Sequence, residues 1–386
     1  MCEDDERPLV SIGMTVYNQE EYVAGAIESI LMQQVNFRYE IVISEDCSTD
    51  SSREIVIDYA KRYPEVIRLI LQEHNVGLYK QSICLKKACR CIYRAQLEGD
   101  DYWLTNDKLQ KQVDFLQNNP DYIAVSGKII CVNEENIKCS FPYGELTNIY
   151  CFEDEYTIEH FQKWLLPSHT GALLYRNIFY MCDSAFLDAY ESFDVMGDRK
   201  TALLLVSRGR IHILDEVVSA RRISFASSSN FTSNLVKVKP YAVICAWMDR
   251  LEDMSLTLFN KEISLQNEKR KQWMYSINNF ARCPTKTNLS TVIKVYNLSR
   301  EKRMYINLII QKFRCKAGAK IKKDGFFKAL GGMIGYAWKI MRSLLSSKSI
   351  VNHSEEAMNV INGQKTKKCV RKVIYMNLKG KRLLFI

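Results

Sequence analysis

The chain has 386 residues, 47% hydrophobic and 25% charged, which is the composition of an ordinary globular protein, long enough for one large α/β domain plus a smaller appendage. Its 13 cysteines include no CxxC pair, which excludes a zinc ribbon and a thioredoxin motif. The first residues are acidic and form no apolar signal segment, so the many thiols predict a reducing, cytoplasmic location. The net charge of +10 is uneven, because residues 301–386 hold 20 Lys and Arg against 4 Asp and Glu and leave the first 300 residues slightly acidic.

The first part of the chain alternates strands and helices. Apolar and β-branched runs predict strands at 9–16, 39–44, 67–71 and 91–95, and helical spacing predicts helices over about 20–31, 55–60 and 82–91. Strands separated by helices of about 10–15 residues indicate βαβ units and a parallel sheet. Polar residues follow these strands, and open α/β sheets bind their ligands at the carboxyl ends of strands.

The remainder of the chain is predicted to add strands first and helices later. An amphipathic helix is expected at 109–116, strands at 123–126, 172–175 and 211–214, and a helix at 199–207. Residues 224–234 are rich in Ser and Asn and predict a loop or a domain boundary, and 241–280 is helical in pattern. The predicted domains are a catalytic domain at 1–235, a helical extension at 236–300 and a basic tail at 301–386.

The most informative segment is the acidic cluster Glu98-Gly99-Asp100-Asp101 after the fourth strand. Partly buried carboxylates this close repel one another by roughly 1 kcal/mol or more per pair, and Tyr102, Trp103 and Leu104 supply no cation. A hard divalent metal, which seeks oxygen ligands and bridges to phosphate, would offset the repulsion. The alternative is a solvated acidic turn that caps a helix.

Three motifs occur here in an order that resembles one known family. They are Pro8-Leu9-Val10-Ser11-Ile12 through Thr15-Val16-Tyr17-Asn18, then Ser44-Glu45-Asp46-Cys47-Ser48-Thr49-Asp50, then Glu98-Gly99-Asp100-Asp101. Over roughly residues 8–222 the chain resembles the family-2 glycosyltransferases of the GT-A fold. The sequence EGDDYW followed by KLQKQ is similar to bacterial enzymes that build capsular or lipopolysaccharide chains. The predicted fold class is therefore α/β, a GT-A type, Rossmann-like, mostly parallel sheet flanked by helices, with a helical basic C-terminal extension.

The resemblance implies a nucleotide site at the ends of the first, second and fourth strands. Thr15 and Tyr17 match positions that contact the nucleotide base and ribose, and Asp46 matches the carboxylate that hydrogen-bonds a uracil ring. Asp100 would lie near the ribose. For Asp46 the alternative is an Asx turn or a helix N-cap with Ser48.

The resemblance also implies a metal ligand and a general base. Asp101 would ligate a divalent metal, Mn²⁺ or Mg²⁺, which neutralises charge on the departing nucleoside diphosphate, and Glu98 stands where the family usually has an Asp. Asp198 matches the general base that takes the acceptor hydroxyl's proton, with Asp194 as the alternative.

Two further positions remain open between function and structure. His169 matches a polar site near the acceptor or the diphosphate, although a lone His is more often a hydrogen-bonded structural residue. One guanidinium of the pair Arg221 and Arg222 would reach the diphosphate, or both would lie on a solvated surface.

The basic tail contains a segment, residues 326–345, in which Lys328, Lys339 and Arg342 share one helix face and apolar and aromatic residues cover the rest. Its longest apolar run has ten residues, from 329 to 338, too few to cross a bilayer. The pattern predicts a helix lying on an anionic membrane surface, so that the protein would be peripheral on the cytoplasmic face. The alternative is a helix packed on the catalytic domain.

The leading hypothesis is a metal-dependent, inverting glycosyltransferase of cell-surface polysaccharide synthesis. It would move a sugar from a nucleotide-diphospho-sugar, expected to be a UDP-sugar, to a hydroxyl of a glycan or lipid-linked glycan. A nucleotidyltransferase is a second hypothesis, although Gly13-Met14-Thr15-Val16-Tyr17 lacks the basic residue of a phosphate loop. A non-catalytic protein that binds nucleic acid or an anionic surface is a third, and we expect no nucleic-acid partner because the tail's aromatics oppose its cations.

Overall fold

The computed structural model describes residues 7–140, 149–223 and 241–312, apart from positions 284, 299, 302, 303, 306 and 310. The strands within this part are β1 Val10–Val16, β2 Tyr39–Glu45, β3 Ile67–Leu71, β4 Tyr93–Glu98, β5 Tyr102–Trp103, β6 Tyr122–Val132, β7 Glu155–Tyr156, β8 Leu174–Arg176 and β9 Arg210–Arg222. The helices are α1 Val23–Leu31, α2 Ser52–Arg62, α3 Leu78–Ala88, α4 Lys108–Asn118, α5 Ile158–Gln162, α6 Ile178–Met181, α7 Ser184–Ser192, α8 Gly197–Arg208, α9 Tyr241–Phe259, α10 Gln266–Arg282 and α11 Lys286–Leu298.

The described strands form one sheet in the order β3-β2-β1-β4-β8-β6-β9-β5, with β7 also paired to β9. Strands β1 to β4, β6 and β9 run in the same direction, and β5, β7 and β8 run against them. Helices follow β1, β2 and β3, as right-handed crossover connections require. The predicted α/β class with a mostly parallel sheet is confirmed.

The register of the sheet brings three strand ends to one level. Thr15 of β1 pairs with Ser44 of β2 on one side and with Glu98 of β4 on the other. The backbone continues this alignment beyond the strands, since Asp46 donates its N–H to Val16 O at 3.0 Å and Gly99 donates to Thr15 O at 3.1 Å. The loops after β1, β2 and β4 therefore meet at one edge, as the parallel topology predicts.

Two large hydrophobic clusters stabilise the sheet. One joins β1, β2 and β4 to α1, α2 and α4 and is built from residues such as Ile12, Ile27 and Leu109, all fully buried. The other lies under β6 and β9 and is formed with α5, α7, α8 and α9. Because α9 contributes Trp247 to this second cluster, the first helix of the extension packs in the same core as the sheet.

Two strands are much longer than predicted, because charged residues interrupt the apolar pattern. β6 was expected at 123–126 and β9 at 211–214, yet the two run parallel along most of their length. Asp215 and Glu216 lie in a bulge of β9, where pairing with β6 shifts between Ile213 and Val217. Both residues form ion pairs, Asp215 with Lys128 and Glu216 with Lys111.

The predicted helical run 241–280 is present as α9 and α10. The two are separated by a turn in which Asn260 adopts a left-handed backbone conformation, with φ of 50°. None of the helices in the described part is long and apolar enough to span a bilayer. The loop predicted at 224–234 and the amphipathic segment 326–345 lie outside the described residues, and the proposed domain boundaries stay predictions.

Candidate active site

The predicted nucleotide-binding residues lie together at the shared edge of β1, β2 and β4. Thr15 and Asp46 are buried, whereas Tyr17 and Asp100 are partly exposed. Thr15 belongs to the end of β1, Asp46 follows β2 directly, and Asp100 follows β4. Four residues separated by up to 85 positions are thus brought to one side of the sheet.

Asp46 fastens the loop that precedes α3. Its Oδ1 accepts a hydrogen bond from Val76 N at 2.7 Å and its Oδ2 accepts one from Gly77 N at 2.8 Å. The loop needs glycine there, since Gly77 has φ of 84°, in the left-handed region. Ser48 donates its N–H to Glu45 Oε1 at 2.6 Å, so the N-cap arrangement with Ser48 is not the one found. Each Asp46 oxygen retains a lone pair with which to accept a further donor.

Glu98, Asp101 and His169 form a cluster of metal-ligand type. Each presents one ligand atom, and the three atoms lie within 4.8 Å of one another. Asp101 Oδ1 accepts a hydrogen bond from Arg222 N at 2.8 Å, whereas Oδ2 lies 3.3 Å from His169 Nδ1. Neither Oδ2 nor Nδ1 has a hydrogen-bond partner, although both atoms are buried. Because buried polar atoms are seldom left unpaired, this cluster fits a divalent cation with oxygen and imidazole ligands.

The electrostatics of the cluster agree with that assignment. Burial, followed by the charge of Asp100, raises the pKa of Glu98 to about 7, and burial with the neighbouring carboxylates raises the pKa of Asp101 well above its usual range. Burial and the charge of Arg221 hold the pKa of His169 well below its usual value, so its imidazole is neutral and able to ligate a metal. Protonation of Glu98 and Asp101 therefore competes with binding of a cation by the same oxygen atoms.

The arginine pair of β9 divides into two environments. Arg222 is buried: its Nε donates to Asp100 O at 2.9 Å, its Nη1 to Asn133 O at 3.0 Å and its Nη2 to Asn136 Oδ1 at 2.8 Å. It therefore ties the acidic cluster to the turn after β6, and it does not lie on a solvated surface. Arg221 donates to the Tyr150 hydroxyl at 3.1 Å, and its positive charge partly offsets the rise in the pKa of Glu98 that burial and Asp100 cause.

Asp198 and Asp194 also differ in their surroundings. Asp198 lies in the first turn of α8, partly buried, and its charge is among those that raise the pKa of Glu98. Asp194 is exposed and bound to α9, since Arg250 Nη1 donates to Asp194 O at 2.7 Å. The structure thus brings Asp198 near the acidic cluster and engages Asp194 elsewhere, while the role of the base stays a prediction.

Comparison with known proteins agrees with the resemblance seen in the motifs. Residues 11–181 match the family model "Glycosyl transferase family 2", which confirms the predicted family over that region. An uncharacterized protein of Mycobacterium tuberculosis is 37% identical over 134 residues, 34% of this chain and 39% of that protein. The putative teichuronic acid biosynthesis glycosyltransferase TuaG of Bacillus subtilis is 31% identical over 121 residues, 31% of this chain and 47% of TuaG. The chain thus spans less than half the length of these relatives.

Among solved structures, S. aureus TarS 1–349 in complex with UDP-GlcNAc is similar at 16% identity. The alignment covers 80% of this chain and 92% of that chain, with a TM-score of 0.46.

Proposed function

We propose that this chain, whose residues 11–181 form a glycosyl transferase family 2 region, is a metal-dependent, inverting glycosyltransferase of the GT-A type. It would transfer a sugar from a nucleotide-diphospho-sugar, expected to be a UDP-sugar, to a hydroxyl of a glycan or lipid-linked glycan. One observation carries the proposal: buried, unpartnered atoms of Asp101 and His169 face each other at the sheet edge that also holds Asp46. The name of TuaG supports a role in cell-surface polysaccharide synthesis.

The residues of the site divide the work of such a reaction. Thr15, Tyr17 and Asp46 would bind the base and ribose, with Asp100 next to the ribose. Glu98, Asp101 and His169 would hold a divalent cation, Mn²⁺ or Mg²⁺, which supplies charge neutralisation for the departing nucleoside diphosphate. Arg221, whose positive charge acts on Glu98 of the same cluster, would contact the diphosphate.

Asp198 would act as the base. The acceptor hydroxyl gives its proton to the Asp198 carboxylate while its oxygen bonds to the anomeric carbon of the donor sugar. The bond between that carbon and the phosphate oxygen breaks on the opposite face, and its electron pair leaves with the nucleoside diphosphate. Attack from the opposite face inverts the configuration at the anomeric carbon.

Donor hydrolysis across a panel of UDP-, GDP-, dTDP- and CMP-sugars tests the proposal. We expect Mn²⁺ to raise hydrolysis of the preferred donor at least about tenfold over the rate in EDTA, since the cation stabilises the leaving group. Equal hydrolysis with and without metal for every donor would contradict metal dependence.

Affinity for Mn²⁺ should be higher at pH 8 than at pH 6, because the pKa of Glu98 is raised to about 7 and a protonated carboxyl does not ligate.

The nucleotidyltransferase alternative is disfavoured by the loop after β1. Such an enzyme cradles phosphate with free backbone N–H groups, but here Asn18, Gln19 and Glu20 donate theirs to side chains of Ser48, Ser52 and Asp50. Addition of pyrophosphate to the same assay separates the two activities. A nucleotidyltransferase would then convert the nucleoside diphosphate sugar and pyrophosphate into nucleoside triphosphate and sugar 1-phosphate, whereas a glycosyltransferase releases nucleoside diphosphate.

We assign the predicted membrane association to the basic tail. Residues 301–386 would bring the protein to the anionic, cytoplasmic face of the membrane, because each Lys or Arg near such a surface contributes about 1 kcal/mol. We expect the full chain to co-sediment with vesicles that contain anionic lipid, less in high salt, and a chain ending at residue 320 to lose this binding. Vesicles of neutral lipid are the control. If both chains co-sediment equally, the tail is not the membrane-binding segment.

A further inference from the structure

The ligand atoms of the acidic cluster come from two distant chain segments. Glu98 is the last residue of β4 and Asp101 lies between β4 and β5, whereas His169 belongs to the segment that precedes β8. The distance between Asp101 Oδ2 and His169 Nδ1, 3.3 Å, therefore depends on how these two segments are held together. A cation site of this kind needs its ligands fixed before the ion arrives.

Trp103 joins the two segments directly. It follows Asp101 by two residues, and its indole Nε1 donates a hydrogen bond to Gly171 O at 2.7 Å, two residues after His169. Trp103 is 1% exposed, so water does not compete for this bond. Gly171 is closely packed, since a Cβ atom there would lie 3.0 Å from Ser219 Oγ and 3.2 Å from Leu97 Cδ1. The hydrogen bond from Trp103 therefore reaches a carbonyl in a tightly packed part of the chain.

A second bond comes from α4, behind the indole. Gln112 Nε2 donates to Ala172 O at 2.8 Å, and Lys108 Nζ donates to Gln112 Oε1 at 2.8 Å. Burial lowers the pKa of Lys108 to about 7, and the Lys108 N–H that donates to Gln112 Oε1 leaves the Gln112 NH₂ group to donate to Ala172 O. The Lys108 Nζ also lies 4.1 Å from the centre of the Trp103 ring, within the range of a cation–π interaction.

The segment is anchored on the other side of His169 as well. Ser168 Oγ donates to Gly127 O of β6 at 2.7 Å, and Ala172 N donates to His169 O at 3.0 Å. His169 is therefore bracketed by bonds to β6, to the segment of Asp101 and to α4. The side-chain bonds from Trp103, Gln112 and Ser168 are all buried.

We propose that Trp103, supported by Lys108 and Gln112, is a positioning residue that sets His169 against Asp101 and so preorganises the cation site. The inference rests on the proposed function in one respect, namely that the cluster binds a divalent cation. It assigns a role to the Trp103 and KLQKQ positions, which carry no ligand atoms themselves. Outer-shell bonds of this type commonly change metal affinity 10–100-fold.

The test is Mn²⁺ binding by the full chain carrying Trp103→Phe, which keeps an aromatic ring and removes the indole N–H. We expect the Mn²⁺ dissociation constant, measured in the presence of UDP, to rise about tenfold or more. Binding of UDP in EDTA should change less than about twofold, because Asp46, which is proposed to bind the base, bonds to Val76 and Gly77 and not to the segment held by Trp103. The matched control is Trp273→Phe, the same substitution at a fully buried Trp of α10, which should leave Mn²⁺ affinity unchanged.

The outcomes are distinct. Unchanged Mn²⁺ affinity in Trp103→Phe, or an equal loss in Trp273→Phe, would overturn the positioning role while leaving the cation site in place. Absence of Mn²⁺ binding by the wild type would overturn the cation site and this inference together. If Trp103→Phe does not fold, Gln112→Met supplies the same measurement, because it removes the bond to Ala172 O and retains side-chain length; unchanged affinity there would equally overturn the role.

Discussion

Asp101→Ala is expected to abolish sugar transfer and to raise the dissociation constant of UDP with Mn²⁺ at least about a hundredfold, since even outer-shell partners of a metal change affinity 10–100-fold. Asp101 is 2% exposed, and its Oδ2 faces His169 Nδ1 with no hydrogen-bond partner of its own. Removal of this oxygen leaves the cluster with two of its three ligand atoms. Calorimetry of UDP with and without Mn²⁺ measures the effect.

Two further variants separate the ligand role from a folding defect. Asp101→Asn retains Oδ1, which accepts the hydrogen bond from Arg222 N, and replaces the charged ligand with a weaker one. It should fold like the wild type and still lose metal-dependent binding. Asp107→Ala removes a partly exposed carboxylate at the start of α4, which pairs with Lys111, and this variant should bind UDP and Mn²⁺ normally. Wild-type affinity in Asp101→Asn would refute the assignment of Asp101 as a metal ligand.

Asp198→Asn is expected to lower the turnover number for transfer by about 10²–10⁴-fold, the usual contribution of a general base, while donor affinity stays within about twofold. The amide keeps the shape of the side chain, and its Oδ1 still accepts from Arg199 N at the start of α8. A base acts on the acceptor hydroxyl, so the nucleotide site should not register the change. Steady-state transfer kinetics beside UDP calorimetry distinguish the two effects.

Asp194→Asn is the matched control for that experiment. Asp194 lies four residues earlier, is exposed, and is held to α9 by Arg250, so we expect near-normal transfer from this variant. If Asp198→Asn retains transfer within about tenfold of the wild type, another residue takes the proton. A large loss in Asp194→Asn would then identify that residue.

The sequence predicted those parts of the site that depend on local pattern. The strands up to β4 and the placement of Asp46, Asp100 and Asp101 at their carboxyl ends follow from hydrophobic periodicity and the rule for parallel sheets. His169 was only a candidate for a polar contact, because no pattern in a single sequence shows that a residue 68 positions away will lie 3.3 Å from Asp101.

The pair Arg221 and Arg222 was a candidate for contact with the diphosphate, but its contacts with the acidic cluster were not predicted, for the same reason. Arg221 and Arg222 reach the cluster from the far end of β9, a strand whose length was hidden by Asp215 and Glu216. The loop held by Asp46 was not assigned either, although Gly77 in Asn75-Val76-Gly77 was a signal of a left-handed turn. Long-range pairing and bulges, and not local preference, decide these positions.

The packing of α9 in the core limits which chain segments could be replaced by recombination without loss of stability. Trp247, Met248, Leu251 and Met254 fill the same hydrophobic cluster as Leu203 and Leu204 of α8, the helix that begins with Gly197 and Asp198. A recombination event that replaced everything after residue 235 would remove those four side chains and leave voids beneath that helix. A replacement segment would therefore have to supply apolar side chains of matching volume at these four positions to keep α8, and with it Asp198, in place.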